Sequence, residues 1–476
     1  MSSIQKIATV CIVLSSFQQV LPIEVGKDDG GEYCYRIPGS NDGGMIPVGY
    51  DLYKSGCELS DDDNVVDPVC ETMNFAEIKK MFPIFNAQVH DKPFIFFDSG
   101  ATAQMPQMVI DAIVDYYQHY KSNVGRGLYV FAELATKKFE DARARIARFI
   151  GAKKQEVVFT SGATAGINLV AHIWVKHHVK KGDEIVISEV EHNANFIPWQ
   201  QLADRTGVVL KRVPLNDRGV VDVATLQQYL SSKTKLVAIT HQSNILGTVN
   251  DIAAISQAAH AVGAKVLVDA AQSVVHQKID VLQLQCDFLT FSGHKLFGPT
   301  GVGVLFIKAD LFDQCVLQNF GGGMVYEVRP EQTEFKSMPH CLEPGTQAIA
   351  QVIGLGAAVE FVQKHINFDQ SREHETALVR MLATELQKIP GVALLSPIPQ
   401  QGEHNSLVTF TVEQCHAYDV AEYLDTCGIA VRAGYHCAQP YHDKMGGKAS
   451  VRVSLSVYNT QKEIEYFIEC LKKLLK

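Results

Sequence analysis

Three features that identify common classes of protein are missing from this 476-residue sequence. Its eleven cysteines form no Cys-x-x-Cys pair and no Cys/His cluster with zinc spacing, so we predict neither a disulfide framework nor a bound metal. No apolar run approaches the length of a membrane span. A net charge of -9 leaves no basic face for nucleic acid. Together these absences favour a globular protein of a reducing compartment, which we predict to be the cytoplasm.

The first 73 residues differ in composition from the rest of the chain. They carry twelve acidic and four basic residues, which gives a net charge of -8. Turn-forming runs such as Asp28-Asp-Gly-Gly are frequent, and the hydrophobic residues follow neither a helical nor a strand period. We interpret residues 1–73 as a flexible acidic extension. The run Ile7–Leu14 indicates either a weak signal peptide or one face of an amphipathic helix. Three roles stay open: docking to a partner or compartment shell, plain disorder, and a cleaved targeting peptide for organelle import.

Short apolar strands alternate with helical patterns from about Phe94 onward. This alternation predicts an α/β domain whose parallel sheet is covered on both faces and binds its ligands at the carboxyl ends of the strands. After about residue 356 the pattern becomes that of a separate α+β domain. We therefore predict a segment over 74–93 that packs with the small domain, a large cofactor-binding domain over 94–355 and a small C-terminal domain over 356–476.

Two polar residues at strand ends suggest chemistry at this edge of the sheet. Lys295 ends the run Phe291-Ser-Gly-His-Lys and follows an apolar strand; a desolvated lysine there forms Schiff bases with aldehydes. Asp269 ends the strand Lys265–Val268 and supplies the acid that a pyridine nitrogen needs, although a strand-ending aspartate also caps helices. The pair favours a pyridoxal-phosphate (PLP) site.

Two further loops follow strands of the same predicted sheet. Ser161-Gly-Ala-Thr-Ala-Gly opens a helix with exposed amides and the hydroxyl of Thr164, which is typical of a phosphate site. Glu191-His-Asn-Ala-Asn195 presents His192, which can stack on an aromatic ring and carry protons, or simply serve a structural role.

The C-terminal domain carries a cysteine that differs from the other ten. Cys437 lies in a loop rich in small residues, next to His436 and five residues from Arg432. Cationic neighbours favour the thiolate form of a cysteine, which is the nucleophile. Arg452 can fork onto a substrate carboxylate, or form a structural ion pair.

With these motifs the chain resembles the type II, SufS-like cysteine desulfurases of the class V aminotransferase group. The resemblance runs from about Met73 to the C-terminus. It rests on a set of motifs: Asp98-Ser-Gly-Ala-Thr-Ala-Gln, Asn123-Val-Gly-Arg-Gly127, Glu191-His-Asn-Ala-Asn, Ser243-Asn-Ile-Leu-Gly247, Val268-Asp-Ala-Ala-Gln272, Ser292-Gly-His-Lys295 and Arg432-Ala-Gly-Tyr-His-Cys437. It implies fold type I of the PLP enzymes, with a mostly parallel seven-stranded sheet in the large domain and a small α+β C-terminal domain.

The resemblance also implies roles for individual residues. Lys295 holds PLP as a Schiff base and moves the α-proton, Asp269 pairs with the pyridine nitrogen, His192 stacks on the ring and Gln272 bonds the phenolic oxygen. Cys437 takes the sulfur of L-cysteine as a persulfide, and alanine is released. The phosphate is bound by Thr164, Ala163, Ser292, His294 and, from the partner subunit, Thr346. The substrate is bound by Asn244, Arg452, Arg432 and Arg126, and Asn244 also lies beside the cofactor.

Partners and alternatives follow from the same resemblance. It implies a homodimer with shared active sites and a sulfur acceptor of the SufE or SufU kind, with sulfur going to iron-sulfur cluster assembly or another transfer. Gly125, Ala433 and Tyr435 depart from the usual family residues, which leaves loop geometry and acceptor choice open. A selenocysteine lyase, another class V PLP enzyme and a non-catalytic docking protein are the alternatives.

Overall fold

The computed structural model describes residues 72–476 and the backbone of two short strands before them. The chain divides into two compact units, residues 1–69 and 70–476. In the first unit Glu24–Lys27 pairs antiparallel with Tyr33–Arg36. Our sequence analysis expected no regular element there, although Tyr33-Cys-Tyr has the aromatic residues that strands prefer. The predicted Ile7–Leu14 face and the rest of the extension lie outside the described residues.

A seven-stranded mixed sheet forms the centre of the second unit. Four of its six strand pairings are parallel, and the strand Gly303–Ile307 runs antiparallel to both of its neighbours. This agrees with the mostly parallel sheet that the sequence predicted. In spatial order the strands are Val157–Thr160, Gly303–Ile307, Phe288–Ser292, Lys265–Asp269, Thr234–Thr240, Glu184–Ser188 and Val209–Val213.

The central strands are buried along their length because they are continuous apolar runs, as a sheet covered on both faces requires. Aspartates begin two of the covering helices: Asp222 accepts a hydrogen bond from the amide of Thr225, and Asp251 accepts one from Ala254. The helices of this part are Gln107–His119, Val130–Phe149, Ala163–Val170, Lys176–His178, Ile197–Thr206, Val223–Tyr229, Ile252–Ala261, Val281–Leu284 and Ile349–His365.

The C-terminal part has its own four-stranded antiparallel sheet and its own buried core. Its strands, in spatial order, are Val392–Leu394, Leu407–Val412, Ser450–Ser454 and Arg432–Gly434, and its helices are Phe368–Gln387, Ala417–Thr426, Gln439–Lys444 and Gln461–Leu474. Two-residue strands at Ile95–Phe96 and Ile429–Ala430 pair in parallel beside this sheet. Ile95 and Phe97 belong to this second core rather than to the large one.

The helix Ile349–His365 packs on the large domain over its whole length. A Cβ atom added at Gly354 would lie 2.8 Å from Ile113, and one at Gly356 would lie 2.6 Å from Ala142, so glycine lets three helices approach closely. The boundary predicted at residues 355–356 falls inside this helix. We propose that the large domain ends in the turn after His365, because the large core extends to Ile366.

The segment 74–93 contacts both cores. The ring of Phe82 meets Phe297 and Phe361 of the large core edge-on, while Lys79 forms an ion pair with Glu463 of the final helix. Its remaining elements are the helix Phe75–Lys80 and the paired strands Gln88–Val89 and Lys92–Pro93. A hairpin of Val325–Val328 and Thr333–Phe335 projects from the large domain. Among the described residues, no helix is long and apolar enough to cross a membrane.

Candidate active site

A tight turn at the end of the strand Phe288–Ser292 positions Lys295. Gly293–Lys295 forms one turn of 3₁₀ helix, and a Cβ at Gly293 would lie 2.9 Å from Val302, so only glycine fits there. Burial lowers the pKa of Lys295 to about 8, against the attraction of Asp269, which raises it. The side chain is therefore an amine that both accepts and releases a proton near neutral pH.

Asp269 ends the neighbouring parallel strand, where its Cα lies opposite that of Thr290. Burial raises the pKa of Asp269, while a hydrogen bond of 2.9 Å from the amide of Ala271 to Oδ1 and the charge of Lys295 lower it. Lys295 and Asp269 attract each other, yet they form no ion pair among the described residues. This edge of the sheet thus holds a carboxylate at the end of one strand and an amine in the turn after the neighbouring strand.

His192 lies near Lys295, and its ring is neutral. Burial, with the charge of Lys295 next, lowers the pKa of His192 to about 4. Its Nδ1 accepts a hydrogen bond of 3.0 Å from the amide of Ala194, which leaves the proton on Nε2. Gln272 donates from Nε2 to the carbonyl of Gly100 at 2.7 Å and keeps a second amide hydrogen.

Glu191 orients this histidine loop, a role that our sequence analysis did not assign. It is buried, and its carboxylate accepts from Ser188 at 2.6 Å, from Asn195 at 2.7 Å and from the amide of Thr240 at 3.0 Å. Burial raises the pKa of Glu191 to about 7, although these hydrogen bonds lower it. The motif that contains His192 therefore also contains Glu191, the residue that holds the loop in place.

Two of the residues predicted to bind phosphate, Ala163 and Ser292, meet at the start of the helix Ala163–Val170. The amide of Ala163 donates to Oγ of Ser292 at 2.9 Å, which brings the two loops together, and Thr164 is exposed in the first turn. His294 lies nearby in sequence, with Nδ1 3.2 Å from Oγ1 of Thr102. A helix start lined with hydroxyls and free amides favours an anion.

The Cys437 loop reaches this centre from the C-terminal domain. Cys437 is exposed, and both it and His436 adopt the left-handed conformation, with φ of 58° and 50°. Such values are strained for residues other than glycine, so neighbouring contacts hold the loop. The amide of Asn193 donates to the Cys437 carbonyl at 2.7 Å, and Asn244 donates to that of His436 at 2.7 Å.

Our expectation that His436 supplies positive charge to the thiol is wrong. Burial, followed by the charge of Arg452, lowers the pKa of His436 to about 2, so the ring is neutral. Its Nε2 instead lies 3.0 Å from Oγ of Ser450. The cations that lie near the Cys437 thiol are Lys295 and Arg452.

Arg452 is held by two hydrogen bonds and keeps donors that no protein group uses. It is buried in the strand Ser450–Ser454, donating to the carbonyl of Asn244 at 3.0 Å and to Asp98 at 2.8 Å. Its Nε has no hydrogen-bond partner within residues 72–476 although it is buried. An orphaned guanidinium nitrogen next to Lys295 suits a carboxylate. Arg432, on the adjacent strand, is exposed and adds its charge to the centre.

Two predicted residues lie in a different cavity. Arg126 and Thr346 line a space of about 780 Å³ whose lining includes neither Lys295 nor Cys437. Arg126 donates to the carbonyl of Val325 at 3.3 Å. The chain before Thr346 is anchored by Glu343, which forms a buried two-point ion pair with Arg143 at 2.6 and 2.8 Å. Within one chain, these residues do not join the lysine centre.

Comparison with known proteins identifies the family to which this chain belongs. The family model described as aminotransferase class-V matches residues 95–467. The chain belongs to this family. A probable cysteine desulfurase of Halalkalibacterium halodurans is 44% identical over 402 residues, 84% of this chain and 98% of its own. A cysteine desulfurase of an Enterobacter species is 41% identical over 400 residues, 84% of this chain and 97% of its own.

Solved structures agree with the family. The apo cysteine desulfurase of Thermococcus onnurineus is 36% identical, with a TM-score of 0.79 over 84% of this chain and 97% of its own. The cysteine desulfurase CsdA of Escherichia coli, in an S-sulfonic acid form, is 34% identical, with a TM-score of 0.78 over 85% of this chain and 100% of its own. The predicted fold class and class V family are confirmed, while the SufS-like subtype stays a prediction.

Proposed function

We propose that this chain is a PLP-dependent cysteine desulfurase that converts L-cysteine to L-alanine and keeps the sulfur as a persulfide on Cys437. The predicted activity and cofactor are confirmed by its likeness to curated cysteine desulfurases over nearly their whole length. The roles of individual residues are our proposal. The observation that carries them is the exposed thiol of Cys437, which a strained loop holds close to the charges of Lys295 and Arg452.

The residues present fit PLP. Asp269 ends one strand, and Lys295 lies in the turn that follows the neighbouring strand. Lys295 would hold the cofactor through its amine and Asp269 would pair with its pyridine nitrogen, with His192 and Gln272 to contact the ring. Ser292, Ala163, Thr164 and His294 would hold the phosphate. PLP supplies a protonated pyridine ring that withdraws electrons from the substrate α-carbon.

Lys295 carries the proton transfer. With its pKa lowered to about 8 by burial, its Nζ takes the α-proton of cysteine and later returns a proton to carbon. Arg452 binds the substrate carboxylate through its free donors. Asn244, whose carbonyl accepts a hydrogen bond from Arg452, lines the site next to it.

Cys437 carries the sulfur transfer. Its thiolate attacks the sulfur of the bound substrate, the carbon–sulfur bond breaks with its electron pair left on carbon, and a sulfur–sulfur bond forms. Protonation of this β-carbon and the return of a proton to the α-carbon complete alanine. Lys295 and Arg452 lie close enough to Cys437 for their charges to act on it.

A second copy of the chain and a sulfur acceptor complete the proposal. Arg126 and Thr346 line an open cavity away from Lys295, as expected of residues that serve the active site of a partner subunit in a homodimer. We place the enzyme in the cytoplasm, where the seven thiols of the described residues stay reduced. An acceptor of the SufE or SufU kind then takes the sulfur, for iron-sulfur cluster assembly or another transfer.

The test is cysteine turnover by the purified full-length protein. We expect equal amounts of alanine and of sulfide released by a reductant, and mass spectrometry of unreduced protein should place one added sulfur on Cys437. Alanine formation without a persulfide on Cys437 would refute the assignment of the acceptor. Preference for selenocysteine with no cysteine turnover would favour a selenocysteine lyase instead.

A further inference from the structure

A buried polar cluster outside the active site joins residues that are far apart in sequence. His276 follows the turn Ser273–Val275, Glu375 lies in the helix Phe368–Gln387, and His404 precedes the strand Leu407–Val412. Their side chains are 4%, 0% and 1% exposed. One nitrogen or oxygen from each lies within 4.8 Å of the others. The cluster therefore links the large domain to the C-terminal part in a site closed to bulk water.

The existing contacts leave this cluster incompletely satisfied. Nδ1 of His276 lies 2.9 Å from Oε2 of Glu375, and Nε2 of His404 lies 3.8 Å from the same oxygen. Nε2 of His404 has no hydrogen-bond partner within the described residues, although it is buried. The other oxygen of Glu375 accepts a hydrogen bond of 3.4 Å from Oγ of Ser371, so the unused group of the cluster is Nε2 of His404.

His404 has one ring nitrogen that the protein leaves unused. Its Nδ1 lies 3.2 Å from Oγ1 of Thr376, whereas its buried Nε2 has no hydrogen-bond partner among the described residues and lies 3.8 Å from Oε2 of Glu375. A buried polar atom without a partner is costly, and a cation bound between Nε2 and the carboxylate satisfies both groups.

The donor set and its dimensions suit a transition metal. Two imidazoles and one carboxylate are ligands that Zn²⁺ commonly takes, with bonds of about 2.0–2.2 Å. Those bonds place neighbouring ligand atoms roughly 3.3 Å apart in a tetrahedral site. The observed separations of 2.9 and 3.8 Å lie on either side of that value, so small side-chain shifts reach it.

We propose that His276, Glu375 and His404 form a structural site for a divalent transition-metal ion of the zinc class, with water as the fourth ligand. The ion ties the turn that begins after Asp269 and Gln272 to the helix Phe368–Gln387, and so braces the loop behind the lysine centre against the C-terminal domain. It takes no part in sulfur transfer.

The experiment loads the full-length holoenzyme with Zn²⁺ alone, removes loose ions by gel filtration and measures zinc per chain. Cysteine residues are alkylated first, because exposed thiols bind zinc adventitiously. We expect about one zinc per chain, with X-ray absorption showing nitrogen and oxygen neighbours at about 2.0–2.1 Å and none at the 2.3 Å of sulfur. Less than a tenth of an equivalent in folded protein, or sulfur among the neighbours, would overturn the proposal.

Variants then locate the ion. His404→Gln and Glu375→Gln should each reduce bound zinc at least tenfold and abolish the rise in melting temperature that zinc gives the parent protein. His90→Gln is the matched control, since His90 pairs with Asp425 at 2.9 Å but on the surface, and it should bind zinc as the parent does. Full zinc binding by a folded His404→Gln protein would contradict the site. If that variant does not fold, the zinc content and neighbours of the parent decide alone.

Discussion

Replacing Arg452 by lysine tests whether its unused donors bind the substrate carboxylate. Arginine donates two bonds to fixed protein acceptors, the carbonyl of Asn244 and the carboxylate of Asp98, and its Nε stays free. Lysine keeps the charge but has one nitrogen, which cannot serve both acceptors and a carboxylate in a forked geometry. We expect weaker binding of cysteine while the protein stays folded and yellow with cofactor.

The size of the effect follows from the number of bonds lost. A hydrogen bond to a charged group contributes about 1.5–3 kcal/mol, and the lysine forfeits at least one such bond to substrate. At about 1.4 kcal/mol per factor of ten, kcat/KM falls roughly 10- to 150-fold. The loss should appear mainly as a higher KM, because the carboxylate is bound before and during the reaction.

Initial rates of alanine formation over a range of cysteine concentrations measure this effect. Arg145→Lys is the control, since Arg145 also bonds a carbonyl, that of Gly356, and a carboxylate, that of Glu360 at 2.7 Å, but lies outside the site. It should leave kcat/KM within twofold of the parent. Should Arg452→Lys behave like this control, Arg452 is a structural ion pair and another group binds the carboxylate.

Four further predictions concern the lysine, the thiol and the extension. Lys295→Ala should lose turnover and the visible absorbance of the Schiff base; an unchanged spectrum would remove Lys295 from its role. Cys437→Ser should keep that absorbance and lose persulfide, whereas Cys415→Ser should keep both, by mass spectrometry. Because burial lowers the pKa of Lys295 to about 8, PLP uptake by the apoprotein should speed up as the pH rises through 8 and the amine loses its proton. Arg432→Gln removes a charge that lowers this pKa, so it should move the midpoint of the pH profile upward. A rate of uptake that does not depend on pH would contradict the lowered pKa. Deleting residues 1–73 should leave turnover and dimer mass unchanged, since that segment precedes every active-site motif; loss of PLP binding would make it part of the fold.

The strand ends of the lysine centre were predictable because local sequence determines them. A continuous apolar run followed by Asp269, and another followed by Ser292–Lys295, place polar groups at one edge of a parallel sheet whatever the rest of the chain does. The domain boundary was not predictable in the same way. Gly354 and Gly356 interrupt the hydrophobic pattern of their helix, and only the neighbouring helices reveal that they are packing contacts.

Charge states and long-range clusters depend on tertiary structure, which the sequence pattern does not show. His436 is neutral because folding buries it beside Arg452, a residue sixteen positions later. The His276, Glu375 and His404 cluster joins positions 99 and 29 residues apart, so no short metal-ligand spacing along the chain indicates it. Arg126 and Thr346 belong to one cavity that the sequence could not separate from the lysine centre.

The two backbone bonds on the Cys437 loop limit how far sulfur can travel. Consecutive carbonyls, those of His436 and Cys437, are pinned by Asn244 and Asn193, which belong to the large domain. A loop fastened at both residues does not swing its terminal sulfur out to a distant recipient. Under the proposed function, a protein that takes sulfur from Cys437 therefore has to reach the thiol where the loop holds it. The shape of that protein, rather than movement of this loop, would then determine which acceptors are used.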